Sequence, residues 1–163
     1  MISDQNLLEY YRLKQIIRYN TRITLTKESV AEHSFYVALF SLKICDKLNI
    51  DDSIKLECLI KSLLHDMPEI EINDITHDAK KKLKLTEYLK QFEDDYYQKN
   101  FLKYRDLMRS DNSISSKIVL LADILSVRQF CLIEKKLGNL SEEITEILDN
   151  SNERQKKVME ELL

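Results

Sequence analysis

Apolar residues recur along the chain at intervals of three and four, the spacing that places side chains on one face of an α-helix. Leu7, Leu8, Tyr11, Ile16 and Ile17 predict a first helix ending near Tyr19, where the polar, β-branched stretch 20–26 reads as a loop. Residues 29–48 carry Val30, Phe35, Val37, Ala38, Phe40, Leu42 and Ile44 with few charges after Glu32, which predicts a central, largely buried helix. A third helix, capped by Asp51 or Asp52, runs through Ile54, Leu56, Leu59, Ile60, Leu63 and Leu64 to His65 and Asp66. Pro68 stops it, since proline cannot donate the next backbone hydrogen bond. Residues 69–78 read as an acidic, irregular segment, 86–108 as one long charged amphipathic helix and 111–116 as a loop. A second buried helix spans 117–137 and ends at Gly138, and a polar helix over 141–163 closes the chain. No repeat or linker interrupts this order, so residues 1–163 are expected to form a single all-α domain, a helical bundle.

Composition narrows the function classes. Gly138 and Pro68 are the only glycine and proline. Glycine-rich phosphate loops are therefore excluded, and a fold of many tight hairpins would lack its turn residues. The 25 basic and 28 acidic residues give a net charge of −3, with no basic block beyond Lys80, Lys81 and Lys82, so no nucleic-acid partner is expected. No apolar run approaches the ~20 residues of a membrane span, and the first ten residues lack the pattern of a signal peptide, which implies no membrane and a cytoplasmic protein. Cys45, Cys58 and Cys131 lie singly in apolar stretches and read as reduced core thiols.

Two of the three histidines fall where the helices are otherwise most apolar. His33 opens the central helix, and His65 is followed directly by Asp66 at the helix end made by Pro68, where a bending backbone lets neighbouring side chains share one ion. Imidazole nitrogen and carboxylate oxygen suit a divalent transition metal. A fourth ligand is available in Asp123, the only acid in the stretch 118–125. An unpaired carboxylate there would be strongly disfavoured, so it requires either a cation or an arginine such as Arg18 or Arg128. Glu28 and Glu32, four apart, share a helix face; either orients a ligating histidine, a role that falls first to Glu32, or serves as a first-turn acid.

The quartet His33, His65, Asp66 and Asp123 resembles the HD-domain metal-dependent phosphohydrolases, whose pattern is a histidine, a His-Asp pair and a distant aspartate. Within that family the chain is most similar to the 5′-deoxynucleotidase branch, through Arg18, the segment 28–34, and the run His65, Asp66, Met67, Pro68 and Glu69 with Asp74 beyond. The resemblance covers about residues 13–125. It implies an all-α bundle holding one divalent ion (Mn²⁺, Co²⁺, Fe²⁺, Zn²⁺ or Ni²⁺), a substrate among small-molecule nucleotides or other phosphate esters, and a possible homodimer. Departures fall around the pocket: Asn73 stands where the family often has glycine, His77 and Asp78 where it usually has prolines, and Tyr19 where the bacterial deoxynucleotidases have tryptophan. Thr26 and Lys27 replace a common arginine.

Residue chemistry assigns roles within that frame. Glu69, one turn after His65, and Asp74 are the candidates for general acid and base. Arg18 offers a planar fork to phosphate, Tyr19 a ring for sugar or base, and Ser34 a hydroxyl donor. His77 is a further candidate contact or an exposed loop histidine. The aromatic residues of 86–108, Phe92, Tyr96, Tyr97, Phe101 and Tyr104, form a face on which a second copy could pack. The expected activity is removal of phosphate from (deoxy)nucleoside 5′-monophosphates. The alternatives are another phosphate ester, a nucleotide pyrophosphate or triphosphate, or a non-catalytic nucleotide or metal sensor.

Overall fold

A computed structural model describes residues 4–162, and among these it is helical with one isolated antiparallel bridge, Ile17 to Ser29. The helices are α1 (Asp4–Tyr10), α2 (Val30–Lys47), α3 (Asp52–Leu64), α4 (Glu69–Ile72), α5 (His77–Lys82), α6 (Thr86–Asn100), α7 (Arg105–Arg109), α8 (Ile114–Lys136) and α9 (Glu142–Leu162). Leu163, the last residue of the predicted closing helix, lies outside the described residues. No described helix is long and apolar enough to cross a membrane.

The central unit is α2, α3 and α8, each packed on the other two, with α9 laid along α8. Helices α2 and α3 form an antiparallel hairpin in which Ser41 Oγ meets Ser62 Oγ at 3.0 Å and Cys45 Sγ meets Cys58 Sγ at 3.7 Å. All three cysteines are buried and unbridged. One apolar cluster joins Val37, Cys45 and Cys58 to Ile118, Val119 and Ala122 of α8. A second joins Leu13, Ile16 and Val30 to Met67, Ile70, Tyr96 and Tyr97. His33 lies between Val30 and Val37 on α2, so the histidine stands where the two clusters meet.

Local chemistry explains most boundaries. Ser29 caps α2 through a reciprocal box: its hydroxyl accepts from Glu32 N, and the Glu32 carboxylate accepts from Ser29 N at 2.8 Å. Gly138 stops α8 at φ +100°, a left-handed conformation open to a residue without Cβ, and Asn139 N donates to Glu134 O at 2.9 Å.

Four expectations need correction. The first helix does not reach Tyr19: α1 passes into a 3-10 turn at Tyr11–Lys14, and Tyr19 has φ +56°. The acidic segment 69–78 contains α4 and the start of α5 rather than irregular chain, because Pro68 suits the position that opens a helix even as it ends α3. The expected helix over 86–108 breaks at Phe101, with φ −140° and ψ 43°, where the ring turns inward onto Tyr96 and the core. Consequently Tyr96 and Tyr97 are buried in their own chain, and this face is not free for a second copy. Finally, α8 starts at Ile114 with Ser113 as its cap, inside the expected loop.

Candidate metal centre

The bridge Ile17 to Ser29 is reinforced by Arg18 N donating to Glu28 O and Val30 N donating to Ile16 O, both at 2.9 Å. This clasp places Arg18 and Glu28 beside the first turn of α2, where His33 is wholly buried. His33 Nδ1 lies 3.1 Å from Ser126 Oγ on α8 and 3.9 Å from Glu28 Oε2. Its Nε2 lies 3.2 Å from Asp123 Oδ1 and 3.6 Å from Asp66 Oδ2.

His65 terminates α3. Its Nδ1 sits 2.8 Å from Ser62 O, and because a carbonyl only accepts, Nδ1 carries a hydrogen, which leaves Nε2 as the atom where a cation would take the place of a proton. That Nε2 lies 3.2 Å from Asp66 Oδ2. One ligand atom each from His33, His65 and Asp66 lies within 4.8 Å of the others, with Asp123 joining from the His33 side. Three of the expected four, His33, His65 and Asp66, are thus brought together, with Asp123 against His33, and Asp123 is paired with neither arginine: Arg128 donates to Asn152 at 2.8 Å, and Arg18 Nη1 reaches Asp66 at 3.2 Å.

The donor set fits a divalent cation. The Nε2 atoms of His33 and His65 are buried without a hydrogen-bond partner, although carboxylate oxygens stand close by. Burial holds the His33 pKa below its ordinary value, so the ring is neutral and able to ligate. Burial also opposes charge on His65, but Asp66 and Asp123 outweigh it and raise its pKa to about 9. Burial works against ionisation of Asp66 and Asp123 as well; His65, His33 and Arg18 nonetheless hold Asp66 well below the usual carboxylate range, and His33, then His65, lower Asp123. Two carboxylates and a proton-hungry imidazole around orphaned nitrogens are what a cation would satisfy.

Glu69 opens α4 just beyond the His-Asp pair and is buried, with Oε2 lacking a partner. Burial, Asp66 and Asp74 push its pKa up to about 9, so the carboxyl keeps its proton near neutrality. Asp74 is half-buried after Asn73, whose φ of +62° is the left-handed conformation for which asparagine stands in for glycine. Between His65, Asp66, Glu69, Lys80 and Glu93 lies a small cavity of about 30 Å³, room for roughly one water molecule.

The remaining candidates divide. Arg18 is drawn into the centre, with Nε also 3.4 Å from Glu28 Oε2 and its guanidinium 5.6 Å from the Tyr19 ring centroid. Tyr19 stacks on Phe130 at 4.4 Å, and its hydroxyl is buried without a partner. Ser34 is buried one residue beyond His33, about 100° around the helix, and no hydrogen bond among the described residues ties it to the centre. Glu32 is committed to the cap of α2, so the carboxylate near a histidine is that of Glu28. The side chain of His77 lies outside the described residues.

Sequence reasoning missed Ser126, Lys80 and Glu134. Serine inside a helix carries no signal of its own, although Ser126 lies one turn after Asp123 and so on the same face. Lys80 reads as part of a solvated basic run, and Glu134 as a surface acid beside Lys135 and Lys136.

The HD domain family matches residues 10–105. Among solved structures, the PH0347 protein of Pyrococcus horikoshii superposes with a TM-score of 0.81 at 23% identity, over 98% of this chain and 95% of that one. An HD-domain phosphohydrolase from Listeria innocua gives 0.70 at 21% identity, over 90% and 74%. The HD phosphohydrolase DatZ of cyanophage S-2L, bound to dA and one catalytic Zn²⁺ ion, gives 0.74 at 17% identity, over 96% and 84%. No curated protein matches the sequence.

Proposed function

The chain belongs to the HD-domain family of metal-dependent phosphohydrolases, and from that premise we propose that it is a 5′-nucleotidase acting on (deoxy)nucleoside monophosphates. One observation carries the reading most: two buried, unpartnered imidazole nitrogens face Asp66 and Asp123, while the buried carboxyl of Glu69 opens the next helix four residues after His65, against the same small cavity. His33, His65, Asp66 and Asp123 would hold the ion. When bound, such an ion supplies a water of lowered pKa and offsets charge on the phosphoryl oxygens.

The chain's own residues supply the rest. Glu69 holds a proton that it gives to the departing 5′-oxygen as the phosphorus–oxygen bond breaks, and the attacking water loses its proton to Asp74 as the new bond forms. Asp74 serves Glu69 a second time, since its charge is one of the causes that keep the Glu69 proton in place. Arg18 steadies Asp66 and directs positive charge towards a phosphate, and Lys80 adds a second cation beside Glu69. Ser126 and the Ser62 carbonyl fix the orientation of the two rings by holding Nδ1 of each. Tyr19, smaller than the tryptophan of the bacterial deoxynucleotidases and carrying a buried unpartnered hydroxyl, leaves room for a ribose 2′-hydroxyl.

The test is a screen of phosphate release from nucleoside and deoxynucleoside mono-, di- and triphosphates across a panel of divalent ions. The dA bound to the cyanophage protein makes dAMP and AMP the first matched pair. We expect release of orthophosphate from both, with Tyr19→Trp lowering kcat/KM for AMP relative to dAMP by about 1–3 kcal/mol of discrimination. Release of pyrophosphate or tripolyphosphate instead would transfer the reading to triphosphates. No turnover with bound metal would leave a sensor.

A further inference from the structure

Pro68 leaves the end of α3 short of a donor. In a continuing helix the N–H of residue 68 would bond the Leu64 carbonyl, and proline has none. Neighbouring groups at this end are bonded locally: His65 N donates to Lys61 O at 2.9 Å, His65 Nδ1 to Ser62 O at 2.8 Å, and Glu69 N turns to Asp66 O at 3.1 Å instead of reaching His65 O. Leu64 O receives Met67 N at 3.0 Å. The missing donor comes from another helix. Tyr97 Oη, on α6, donates to Leu64 O at 2.8 Å and lies 3.2 Å from His65 O, so a single hydroxyl serves both carbonyls that the proline turn strands.

Packing does not require that hydroxyl. Tyr97 is buried in the apolar cluster of Leu13, Ile16, Val30, Met67 and Ile70, a place that phenylalanine would fill as well and where an unbonded phenol oxygen is unfavourable. The oxygen stands instead at the bend that carries the His-Asp pair. His65 and Asp66 are consecutive, so a rotation of the backbone at 64–65 swings both side chains together. Metal sites accept ligand distances only within about 0.2 Å of their ordinary values, so a small rotation there is enough to lose a ligand. Lys61 fixes the preceding turn from the other side, its buried Nζ lying 2.6 Å from Ser116 Oγ and 3.1 Å from Ser110 O around the start of α8. Glu93, one turn before Tyr97 and on the same face of α6, lines the small cavity with His65, Asp66 and Glu69. Helix α6 thus lies along the site over two turns, although none of the quartet belongs to it.

We infer that Tyr97 is a positioning residue of the metal centre: its hydroxyl replaces the donor that Pro68 lacks and thereby fixes the direction in which His65 and Asp66 present their ligand atoms. Two holds then act on one residue. Tyr97 restrains the backbone of His65 while the Ser62 carbonyl restrains its ring, and together they leave Nε2 3.2 Å from Asp66 Oδ2. The inference rests on the reading of His33, His65, Asp66 and Asp123 as a metal centre and is independent of the substrate.

The test is Co²⁺ binding by the full chain, by Tyr97→Phe and by Tyr96→Phe, with circular dichroism to check helicity. Each substitution removes one oxygen and keeps the ring; Tyr96 is also buried but packs on Phe101 rather than at the end of α3. Competition with a chromophoric chelator gives the dissociation constant, and the visible absorption of bound Co²⁺ reports the ligand geometry. Tyr97→Phe is expected to keep its helicity, to raise the Co²⁺ dissociation constant about tenfold or more, the scale for groups that orient metal ligands, and to shift the visible bands. Tyr96→Phe should match the natural chain. Natural affinity or an unshifted spectrum in Tyr97→Phe overturns the inference, as does an equal loss in Tyr96→Phe, which would make the effect one of core packing. A natural chain that binds no Co²⁺ overturns the metal reading along with it. Should Tyr97→Phe fail to fold, the natural chain decides: a slowly exchanging Tyr97 hydroxyl proton in the NMR spectrum that moves when Zn²⁺ is added supports the inference, and one that exchanges rapidly with water or ignores the ion overturns it.

Discussion

Helix α8 sends carboxylates into two buried polar clusters, Asp123 to one and Glu134, about three turns further on, to the other, and the fold treats the two in opposite ways. Glu134 is saturated. Its oxygens accept from Leu25 N and Thr26 N at 2.7 Å, Thr26 Oγ1 at 2.5 Å and Asn139 Nδ2 at 2.8 Å, which fills the roughly four acceptor positions of a carboxylate. Although burial disfavours its charge, those donors hold its pKa below the ordinary value. Around Asp123 the opposite holds, for His33 Nε2, His65 Nε2, Glu69 Oε2 and Arg18 Nε are all buried without hydrogen bonds. One chain that completes a buried carboxylate with four donors has the means to complete others. The unfilled valences are therefore concentrated where an outside group supplies them, and the filled ones where the loop over residues 20–28 has to be fastened.

Replacing one ligand breaks this contrast most severely. His65→Ala is expected to take bound metal from one ion per chain to none and to abolish phosphate release, measured by elemental analysis and by turnover; an ion retained in full would mean that the open cluster is merely a polar seam. Glu69→Gln keeps the acceptor geometry but removes the transferable proton, so metal content should hold while kcat falls about a hundredfold. Unchanged turnover would remove Glu69 from the chemistry.

The saturated cluster should answer with stability instead. Glu134→Gln exchanges a charged acceptor for a neutral amide that must turn a donor towards donors, which costs about 2 kcal/mol in urea unfolding at constant metal. Glu69→Gln, compared with the natural chain in chelator, should cost well under that, because Glu69 Oε2 has no hydrogen bond to lose. Equal losses at the two sites would erase the distinction.

A pH slope in Tm sharpens the comparison further. In the metal-free protein Glu69 and His65 titrate near pH 9 and Glu28 near pH 7, all above their ordinary values. The folded chain then binds more protons than the unfolded one, so stability is greatest near pH 5 and declines as pH rises through 7 to 9. A divalent ion competes with those protons, and the Tm gain it confers should grow over the same range. A flat metal-free profile would show that these groups do not titrate apart from the unfolded chain.

How much of this was readable in the sequence depended on whether a residue contradicted its surroundings. Helices α2, α3 and α8 declared themselves through long apolar periodicity, and His33, His65 and Asp123 stood out as polar groups within it. Glu69 and Asp74 needed the family pattern. Ser126, Glu134 and Lys61 could not be picked out, because serines are common in helices and an acid or lysine among charged neighbours looks solvated until tertiary contacts reveal what lies against it. The break at Phe101 is equally silent: no glycine or proline marks it, and only the pull of its ring towards Tyr96 redirects the backbone.

The length of α8 has a consequence in the order of synthesis. His33, His65 and Asp66 all belong to the first half of the chain, whereas Asp123 and Ser126 arrive only when α8 has been made. Until then the α2–α3 hairpin lacks the surface that covers Val37, Cys45 and Cys58, and His33 lacks both its serine and its second carboxylate. Completion of the polar cluster and burial of the core thus wait for the same rod to dock. A ribosome-bound chain that stops short of Ile114 would expose sticky surface and bind metal poorly, and completing α8 would end both conditions together.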